Sequence, residues 1–345
     1  MTTYQGQWEQ RWHPLWREWV IYSAHRNQRP WSGAQARLGS SAPEYDPTCY
    51  LCPGNKRIHG HRNPDYDGIF IFDNDHPVVG KDAPPVELGQ GVRCRRRADG
   101  IARVVCYDPR HNVTLSEMPL HKVTPVFLAW REEVRTLSKV PGVHAVHVFE
   151  NKGEIVGVSN PHPHCQIYAT NFLFRLVERE LEAANLHRQE TNRNLFADVI
   201  QAEIEDEIRV IARNEHAVAF IPFFARYAYE VQIYPAKRHA TLLTMSDEEL
   251  HGLAAVFQET IRRYDTYFSM RFPYVLSILQ APVDGGEYPD YHLHLLIQPP
   301  LRQPGLQKFL AGPEIGGGSF MADTMPEDKA AELRSVDLSA YQEME

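Results

Sequence analysis

The sequence contains no long apolar run. No stretch approaches the roughly 20 consecutive apolar residues that a membrane-spanning helix requires. The N-terminal residues also lack the basic start and apolar core of a secretory signal peptide, so we expect a cytoplasmic protein with no membrane segment. The chain has 345 residues, of which 43% are hydrophobic and 23% are charged, a composition typical of globular proteins.

Cysteine is scarce, with five residues in the whole chain. An odd number does not suit a disulfide framework, whereas Cys49 and Cys52 form a C-x-x-C pair of the kind that binds metals. The alternatives are a redox-active pair and two plain core cysteines. A redox pair usually begins a helix, but Pro53-Gly54 follows Cys52 directly. The pattern therefore favours a metal site.

An excess of positive charge is also missing, since the formal net charge is −8. This argues against a nucleic-acid surface, which needs a basic patch. A phosphate-bearing small molecule would instead be bound by local basic residues. Arg26 and Arg29 lie in a predicted turn, where they are either solvated or in contact with phosphate oxygens.

One pattern occurs twice in the chain. In each copy, a predicted strand leads to a histidine, a helix, a second strand and an H-x-H pair. The histidines are His111, His162 and His164 in the first copy and His239, His292 and His294 in the second. We therefore expect a duplicated unit, with one half at residues 1–172 and the other at residues 173–345.

The helix of each copy has a recognisable start. Thr124-Pro125 predicts an N-cap followed by the first helical position, with the helix running to about Ser138. In the second copy, Ser246 and Glu249 have the spacing of a capping box. This predicts a helix that runs to about Phe268.

Residues 159–168 carry the most chemical information. In extended backbone, alternate side chains share a face, which places His162, His164 and Gln166 together and turns Cys165 towards the core. A neutral His164 could attack a phosphorus atom while the backbone carbonyl of His162 holds its other ring nitrogen. Gln166 could donate its amide to a phosphate oxygen as charge develops. The competing interpretation is that His164 is an ordinary core histidine.

Candidate metal ligands occur in both copies. Zinc prefers four soft or borderline ligands in a tetrahedron. The predicted zinc ligands are Cys49, Cys52, His111 and His162. In the second copy, a further group either binds a second metal or is the relic of a duplicated active site; this group is Glu180, His292 and His294.

Taken together, these motifs resemble one known family, and the matching pieces span nearly the whole chain. They are His25-Arg26-Asn27-Gln28-Arg29-Pro30-Trp31, Cys49-x-x-Cys52, Asn63-Pro64-Asp65-Tyr66, Phe72-Asp73-Asn74-Asp75, Phe149-Glu150-Asn151-Lys152-Gly153, Ser159-Asn160-Pro161-His162-Pro163-His164-x-Gln166, His292-x-His294 and Lys308-Phe309. On these pieces the chain resembles the galactose-1-phosphate uridylyltransferases of the histidine-triad superfamily. Each piece is weak alone, but in this order they are specific.

The resemblance implies an α+β fold in which two histidine-triad-like halves form a largely antiparallel sheet with helices packed on it. It also implies a two-step transfer with His164 and Gln166 as the catalytic residues. His164 would take the uridylyl group from UDP-glucose, release glucose-1-phosphate, and pass the group to galactose-1-phosphate to give UDP-galactose.

The resemblance assigns further residues to this site. Those lining the nucleotide sugar would be Asn74, Asp75, Asn151, Gly157, Ser159 and Gln166. The family is dimeric, and the residues that would complete each site across the interface are Arg26, Arg29, Lys308 and Phe309. Glu314 would bind the hexose. The zinc ligands would be the four residues named above, and a second metal, iron or zinc, would be held by Glu180, His292 and His294.

Departures from the family pattern leave alternatives open. In the hexose stretch, Pro313 stands where a tyrosine is expected and a glutamine is missing near Phe320. A related nucleotidyltransferase or phosphorylase using another nucleotide, such as ADP-glucose, is therefore the alternative enzyme. Leu279 stands where a fourth ligand of the second metal is expected. The non-enzymatic alternative is a zinc-stabilised nucleotide-binding protein without turnover.

Overall fold

The computed structural model describes residues 8–24, 42–58, 60–87, 89, 91–303, 305–339, 341 and 343. Arg26 and Arg29 lie outside the described residues. No helix in the described ranges is long and apolar enough to cross a membrane.

The described residues form fourteen strands and six α-helices. The strands are β1 (Trp8–His13), β2 (Glu18–Ser23), β3 (Phe70–Asp73), β4 (Gly100–Cys106), β5 (Ala145–Lys152), β6 (His164–Thr170), β7 (Val210–Arg213), β8 (Ala217–Phe220), β9 (Val231–Pro235), β10 (Tyr274–Leu279), β11 (His294–Gln298), β12 (Leu301–Gln303), β13 (Leu306–Gln307) and β14 (Met321–Ala322). The α-helices are α1 (Leu120–Leu137), α2 (Arg175–Thr191), α3 (Leu195–Asp206), α4 (Asp247–Phe268), α5 (Gly312–Ile315) and α6 (Pro326–Arg334). Two small sheets, β1-β2-β14 and β12-β13, lie beside the main one.

The main sheet has nine strands in the order β3-β4-β6-β5-β10-β11-β9-β8-β7. Its neighbouring strands are antiparallel throughout. In this order, the first four strands, from β3 to β5, belong to the first copy. The other five, from β10 to β7, belong to the second copy. Strands β5 and β10 pair directly, with Phe149 opposite Ser277. The copies therefore share one continuous sheet, and the expected α+β fold with a largely antiparallel sheet is confirmed.

The repeated pattern of the sequence corresponds to a repeated arrangement. The succession β4, α1, β5, β6 in the first copy matches β9, α4, β10, β11 in the second, and the three strands lie in the sheet in mirrored order. Both helices pack on the same face, where Phe127 of α1 contacts Phe257 of α4 with ring centroids 5.6 Å apart. Burial of each such side chain contributes about 1.5–3 kcal/mol.

The opposite face of the sheet is covered unevenly. Over the second copy, α2 and α3 enclose a second apolar cluster that includes Trp16, Phe196 and Leu296. Over the first copy the sheet is more open, and Phe149 and Gln166 are only half-buried. The open part of this face is where the candidate site lies.

Helix α1 begins earlier than the sequence predicted. The expected start at Thr124 is wrong, because the helix begins at Leu120 and contains Pro125. The hydroxyl of Thr124 does not cap the helix but donates to the carbonyl of Leu120 at 3.1 Å. Val123 is fully buried in the core, so packing extends the helix upstream of the proline.

Helix α4 begins and ends where the sequence predicted. The hydroxyl of Ser246 accepts the N–H of Glu249 at 3.2 Å, and the carboxylate of Glu249 accepts the N–H of Ser246 at 2.7 Å. This confirms the capping box.

Replacing Ser246 by alanine should lower the free energy of unfolding by about 1 kcal/mol, because the N–H of Glu249 loses its acceptor. Urea unfolding followed by circular dichroism would measure the change. Ser246→Asp keeps an acceptor at the N-cap and should stay within about 0.5 kcal/mol of the unchanged protein. Equal losses in both variants would contradict the capping role.

Candidate active site and metal centre

Strand β6 presents its polar residues on the open face of the sheet. His164, Gln166 and Tyr168 are half-buried there, whereas Cys165 and Ile167 are fully buried in the core. The predicted alternation is therefore correct from His164 onwards. His162 lies in the segment just before the strand rather than within it.

The imidazole of His164 is held in one tautomer. Its Nδ1 lies 2.7 Å from the backbone carbonyl oxygen of His162. Because a carbonyl oxygen can only accept, Nδ1 carries the hydrogen and Nε2 carries the lone pair. Burial lowers the pKa of His164 below its usual range, which favours the neutral ring. The geometry thus leaves Nε2 as a nucleophilic nitrogen.

The amide of Gln166 is also fixed in orientation. The N–H of His76 donates to Asn74 Oδ1 at 2.8 Å, so the Asn74 amide nitrogen turns to Gln166 and donates to Oε1 at 3.1 Å. The Tyr168 hydroxyl donates to the same oxygen at 3.2 Å. With Oε1 occupied twice, the NH₂ group of Gln166 is the part that can donate to a ligand.

A polar cavity lies directly beside His164. It is lined by Phe149, Asn151, Gly157, Val158, Ser159, His164, Cys165 and Gln166. Gly157 has φ +82° and closes a short turn by donating to the carbonyl of Glu154 at 2.9 Å. This left-handed backbone favours glycine and directs Val158 and Ser159 along the cavity. Of the predicted site residues, the fold therefore gathers Asn151, Gly157, Ser159, His164 and Gln166 in one place.

The four predicted zinc ligands are brought together. One ligand atom from each of Cys49, Cys52, His111 and His162 lies within 4.8 Å of the others, and all four residues are buried. Cys52 Sγ is 3.6 Å from Nδ1 of His111 and 3.6 Å from Nδ1 of His162. Ligands around a tetrahedral zinc at about 2.0–2.3 Å lie at separations of this size.

Hydrogen bonds around these ligands suit a bound metal. Nε2 of His162 donates to the carbonyl of Asp108 at 3.0 Å, which leaves the Nδ1 lone pair facing Cys52. The Asn160 side chain accepts the N–H of His162 at 2.9 Å and donates to Cys49 Sγ at 3.4 Å. Burial raises the pKa of the Cys52 thiol to about 12, the reverse of a reactive redox pair. The donor set therefore fits zinc.

The second H-x-H pair repeats the geometry of the first in a closed environment. Nδ1 of His294 donates to the carbonyl of His292 at 3.1 Å, and Nε2 of His292 donates to that of Pro235 at 3.1 Å. His294 is fully buried, however. The histidine that corresponds to His111 is His239, which instead contacts Thr244 and Glu249.

Glu180 lies next to this second pair. Its oxygens accept from Trp16 at 3.0 Å and from Tyr291 at 2.5 Å, and one of them is 3.6 Å from Nε2 of His294. Three or more His, Cys, Asp or Glu side chains with ligand atoms within 4.8 Å of one another occur at one place in the described ranges. This place is the group of four predicted zinc ligands. A metal held by Glu180, His292 and His294 stays a prediction.

Three further predicted binding residues do not line the cavity at His164. Lys308 donates to Glu314 at 3.0 Å and to the carbonyl of Met321 at 2.6 Å. Phe309 is 45% exposed. None of these three predicted residues, Lys308, Phe309 and Glu314, is among those lining the cavity.

Sequence reasoning missed the residues that hold the site in place. Asn160 and Asp108 support the metal ligands, and Arg57 lies 3.6 Å from the Asp75 carboxylate. Asn160 could have been found from its position two residues before His162, since an asparagine there can bond the following backbone. Nothing in the sequence signals the Arg57 contact.

Comparison with known proteins identifies the family. Models of the galactose-1-phosphate uridyl transferase family match almost the whole chain, the N-terminal domain at residues 2–173 and the C-terminal domain at residues 180–345. The chain belongs to this family. The galactose-1-phosphate uridylyltransferase of Haemophilus influenzae is 34% identical over 336 residues, which cover 96% of this chain and 95% of that protein.

Solved structures agree with this family membership. A uridylyltransferase structure has a TM-score of 0.77 at 29% identity and covers 95% of this chain and 97% of its own. An ADP-glucose phosphorylase from Arabidopsis thaliana with bound ADP-glucose also has a TM-score of 0.77, covering 96% of this chain and 100% of its own. Its identity is 23%, so it is evidence for the fold alone.

Replacing Cys49 by serine should remove about one zinc per chain, because a hydroxyl is a poor substitute for a thiolate ligand. Metal analysis of purified protein by mass spectrometry would measure this loss. The matched control is Cys94→Ser, which changes an exposed cysteine outside the group and should leave the zinc content unchanged. Full zinc content in Cys49→Ser protein would refute the assignment.

Proposed function

We propose that the protein is a UDP-glucose–hexose-1-phosphate uridylyltransferase that works through a covalent uridylyl group on His164. The observation that carries this proposal is the fixed tautomer of His164, which leaves the lone pair on Nε2 of a residue that lines a polar cavity together with Gln166. Membership of the galactose-1-phosphate uridyl transferase family supports the choice of substrates.

The reaction would proceed in two displacements at phosphorus. Nε2 of His164 attacks the α-phosphorus of UDP-glucose, the bond from that phosphorus to the bridging oxygen breaks, and glucose-1-phosphate leaves with the electron pair. The uridylyl group stays on Nε2 as a phosphoramidate. A phosphate oxygen of galactose-1-phosphate then attacks the same phosphorus, the P–N bond breaks, and UDP-galactose leaves with the neutral imidazole restored.

The residues around His164 have separate tasks in this scheme. The ring becomes cationic while it carries the uridylyl group, and the carbonyl of His162 stabilises this cation through Nδ1–H. The NH₂ group of Gln166 would donate to a phosphate oxygen as negative charge builds up. Asn151, Gly157 and Ser159 form the wall against which the nucleotide sugar would lie.

Zinc would be held by the four ligands Cys49, Cys52, His111 and His162. A closed site with four protein ligands is typical of structural zinc. Its contribution would be to fix His162, whose carbonyl orients the nucleophile. A second metal, iron or zinc, would be held by Glu180, His292 and His294, where Glu180 also accepts hydrogen bonds from Trp16 and Tyr291.

The site would be completed by a second copy of the chain in a homodimer. Lys308, Phe309 and Glu314 do not line the cavity of their own chain, and Phe309 is exposed. Arg26, Arg29, Lys308 and Phe309 would complete the site of the neighbouring protomer, and Glu314 would bind the hexose.

Incubation with UDP-glucose and no acceptor should give a covalent uridylyl adduct, which intact-protein mass spectrometry would detect. Adding galactose-1-phosphate should discharge the adduct and yield UDP-galactose, because the second displacement restores free His164. His164→Ala protein should form no adduct, whereas His121→Ala, which changes an exposed histidine on α1, should form it fully.

The same measurement separates the competing functions. Incubation with ADP-glucose should leave the protein unmodified. An adenylyl adduct without a uridylyl adduct would replace the proposal by the alternative nucleotide. No adduct with either compound, together with unchanged nucleotide affinity in His164→Ala protein, would show a binding protein without turnover.

A further inference from the structure

Arg57 is largely buried and lies on an aromatic ring. It lies on the short hairpin between Asn55 and Asn63, where its N–H donates to the carbonyl of His61 at 2.7 Å. The side chain is 14% exposed, and the guanidinium lies 4.2 Å from the centroid of the Phe72 ring. A cation held on an aromatic face is attracted to it, so Phe72 fixes the plane in which the guanidinium lies.

The charge of Arg57 is incompletely paired. Its Nε is 3.6 Å from Asp75 Oδ2, which is close enough for an ion pair but too long for a good hydrogen bond. Nε and Nη1 are buried and have no hydrogen-bond partner among the described residues. Burying polar donors without acceptors costs free energy, so two such atoms on one guanidinium call for an explanation, and a ligand or a function can supply it.

Asp75 connects Arg57 to the candidate active site. It follows Asn74 at the end of β3, and Asn74 donates to Gln166, two residues after His164. Strand β3 is separated from β6 by β4, a distance of about 10 Å between strands. A nucleotide whose phosphorus lies at His164 can therefore extend its ribose across β4 towards Asp75.

We infer that Arg57 is a positioning residue that holds the Asp75 carboxylate ready to bind the ribose hydroxyls of the nucleotide. A carboxylate accepts hydrogen bonds from neighbouring ribose hydroxyls, provided that its orientation is fixed. The inference rests on the proposed function only in placing the nucleotide beside His164.

Calorimetric titration with UMP and with its 2′,3′-dideoxy analogue would test this role. The unchanged protein should bind UMP at least about tenfold more tightly than the analogue, as expected for the loss of one or two hydrogen bonds. In Arg57→Met protein the ratio of the affinity for UMP to that for the analogue should fall to nearly one, because UMP binding weakens while binding of the analogue changes little. Arg57→Leu, which also removes the charge that pairs with Asp75, provides the same comparison should the methionine variant not fold.

The matched control is Arg62→Met. Arg62 lies on the same hairpin and donates to the carbonyl of Gly54 in an exposed contact, so its loss should leave the UMP preference unchanged. Zinc content serves as the check on folding, since the hairpin follows Cys52 directly. An unaltered UMP preference in zinc-replete Arg57→Met protein would overturn the inference.

Failure of this inference differs from failure of the proposed function. Nucleotide binding is measured without turnover, so the comparison remains valid in a protein that forms no covalent adduct. A uridylyl adduct together with an unaltered UMP preference in Arg57→Met protein would reject only the role of Arg57.

Discussion

The hydrogen bond between Nδ1 of His164 and the carbonyl of His162 is the contact on which the candidate site depends. A backbone carbonyl cannot rotate away as a side chain can, so the tautomer of His164 is set by the path of the chain itself. The side chain of the same His162 belongs to the group of potential zinc ligands. The candidate metal group and the candidate nucleophile are thus connected through a single residue, His162.

The second copy contains the equivalent bond in a different environment. His294 makes the equivalent contact with His292, but Phe196 and Tyr234 pack against its ring. Burial also raises the pKa of neighbouring Glu180 to about 7, which marks a dry interior. The two copies differ in what covers the sheet: helices α2 and α3 lie over one, whereas the other is open to a ligand.

Local patterns in the sequence predicted the parts of the structure that depend on local physics. The alternation after His164 and the capping box at Ser246 were correct because each is set by a few neighbouring residues. The start of α1 was wrong because tertiary packing of Val123 outweighed the signal of Thr124-Pro125. Strands β7 and β8 were missed, since both are short and almost entirely buried and so show no alternation.

Within the candidate site, too, features set by neighbouring residues were predictable, whereas contacts set by the tertiary fold were not. The cysteine pair and the H-x-H pair indicated the metal group because their spacing is local. The contact of Arg57 with Asp75 could not be predicted, because it depends on how a hairpin folds onto a strand more distant in the sequence. That Lys308 and Glu314 do not line the cavity likewise depends on the whole fold.

The direct pairing of β5 with β10 has a consequence for how the protein is made. During synthesis the first copy leaves the ribosome before β10 has been made. Until then, the edge of β5 that pairs with β10 has no partner strand. Such an edge can pair with another chain, and the risk lasts until the second copy has folded against it. If the protein were divided into its two halves, the edge of β5 on one half and the edge of β10 on the other would remain unpaired. Because the sheet is continuous, each half covers a strand edge of the other half that could otherwise pair with another chain and aggregate.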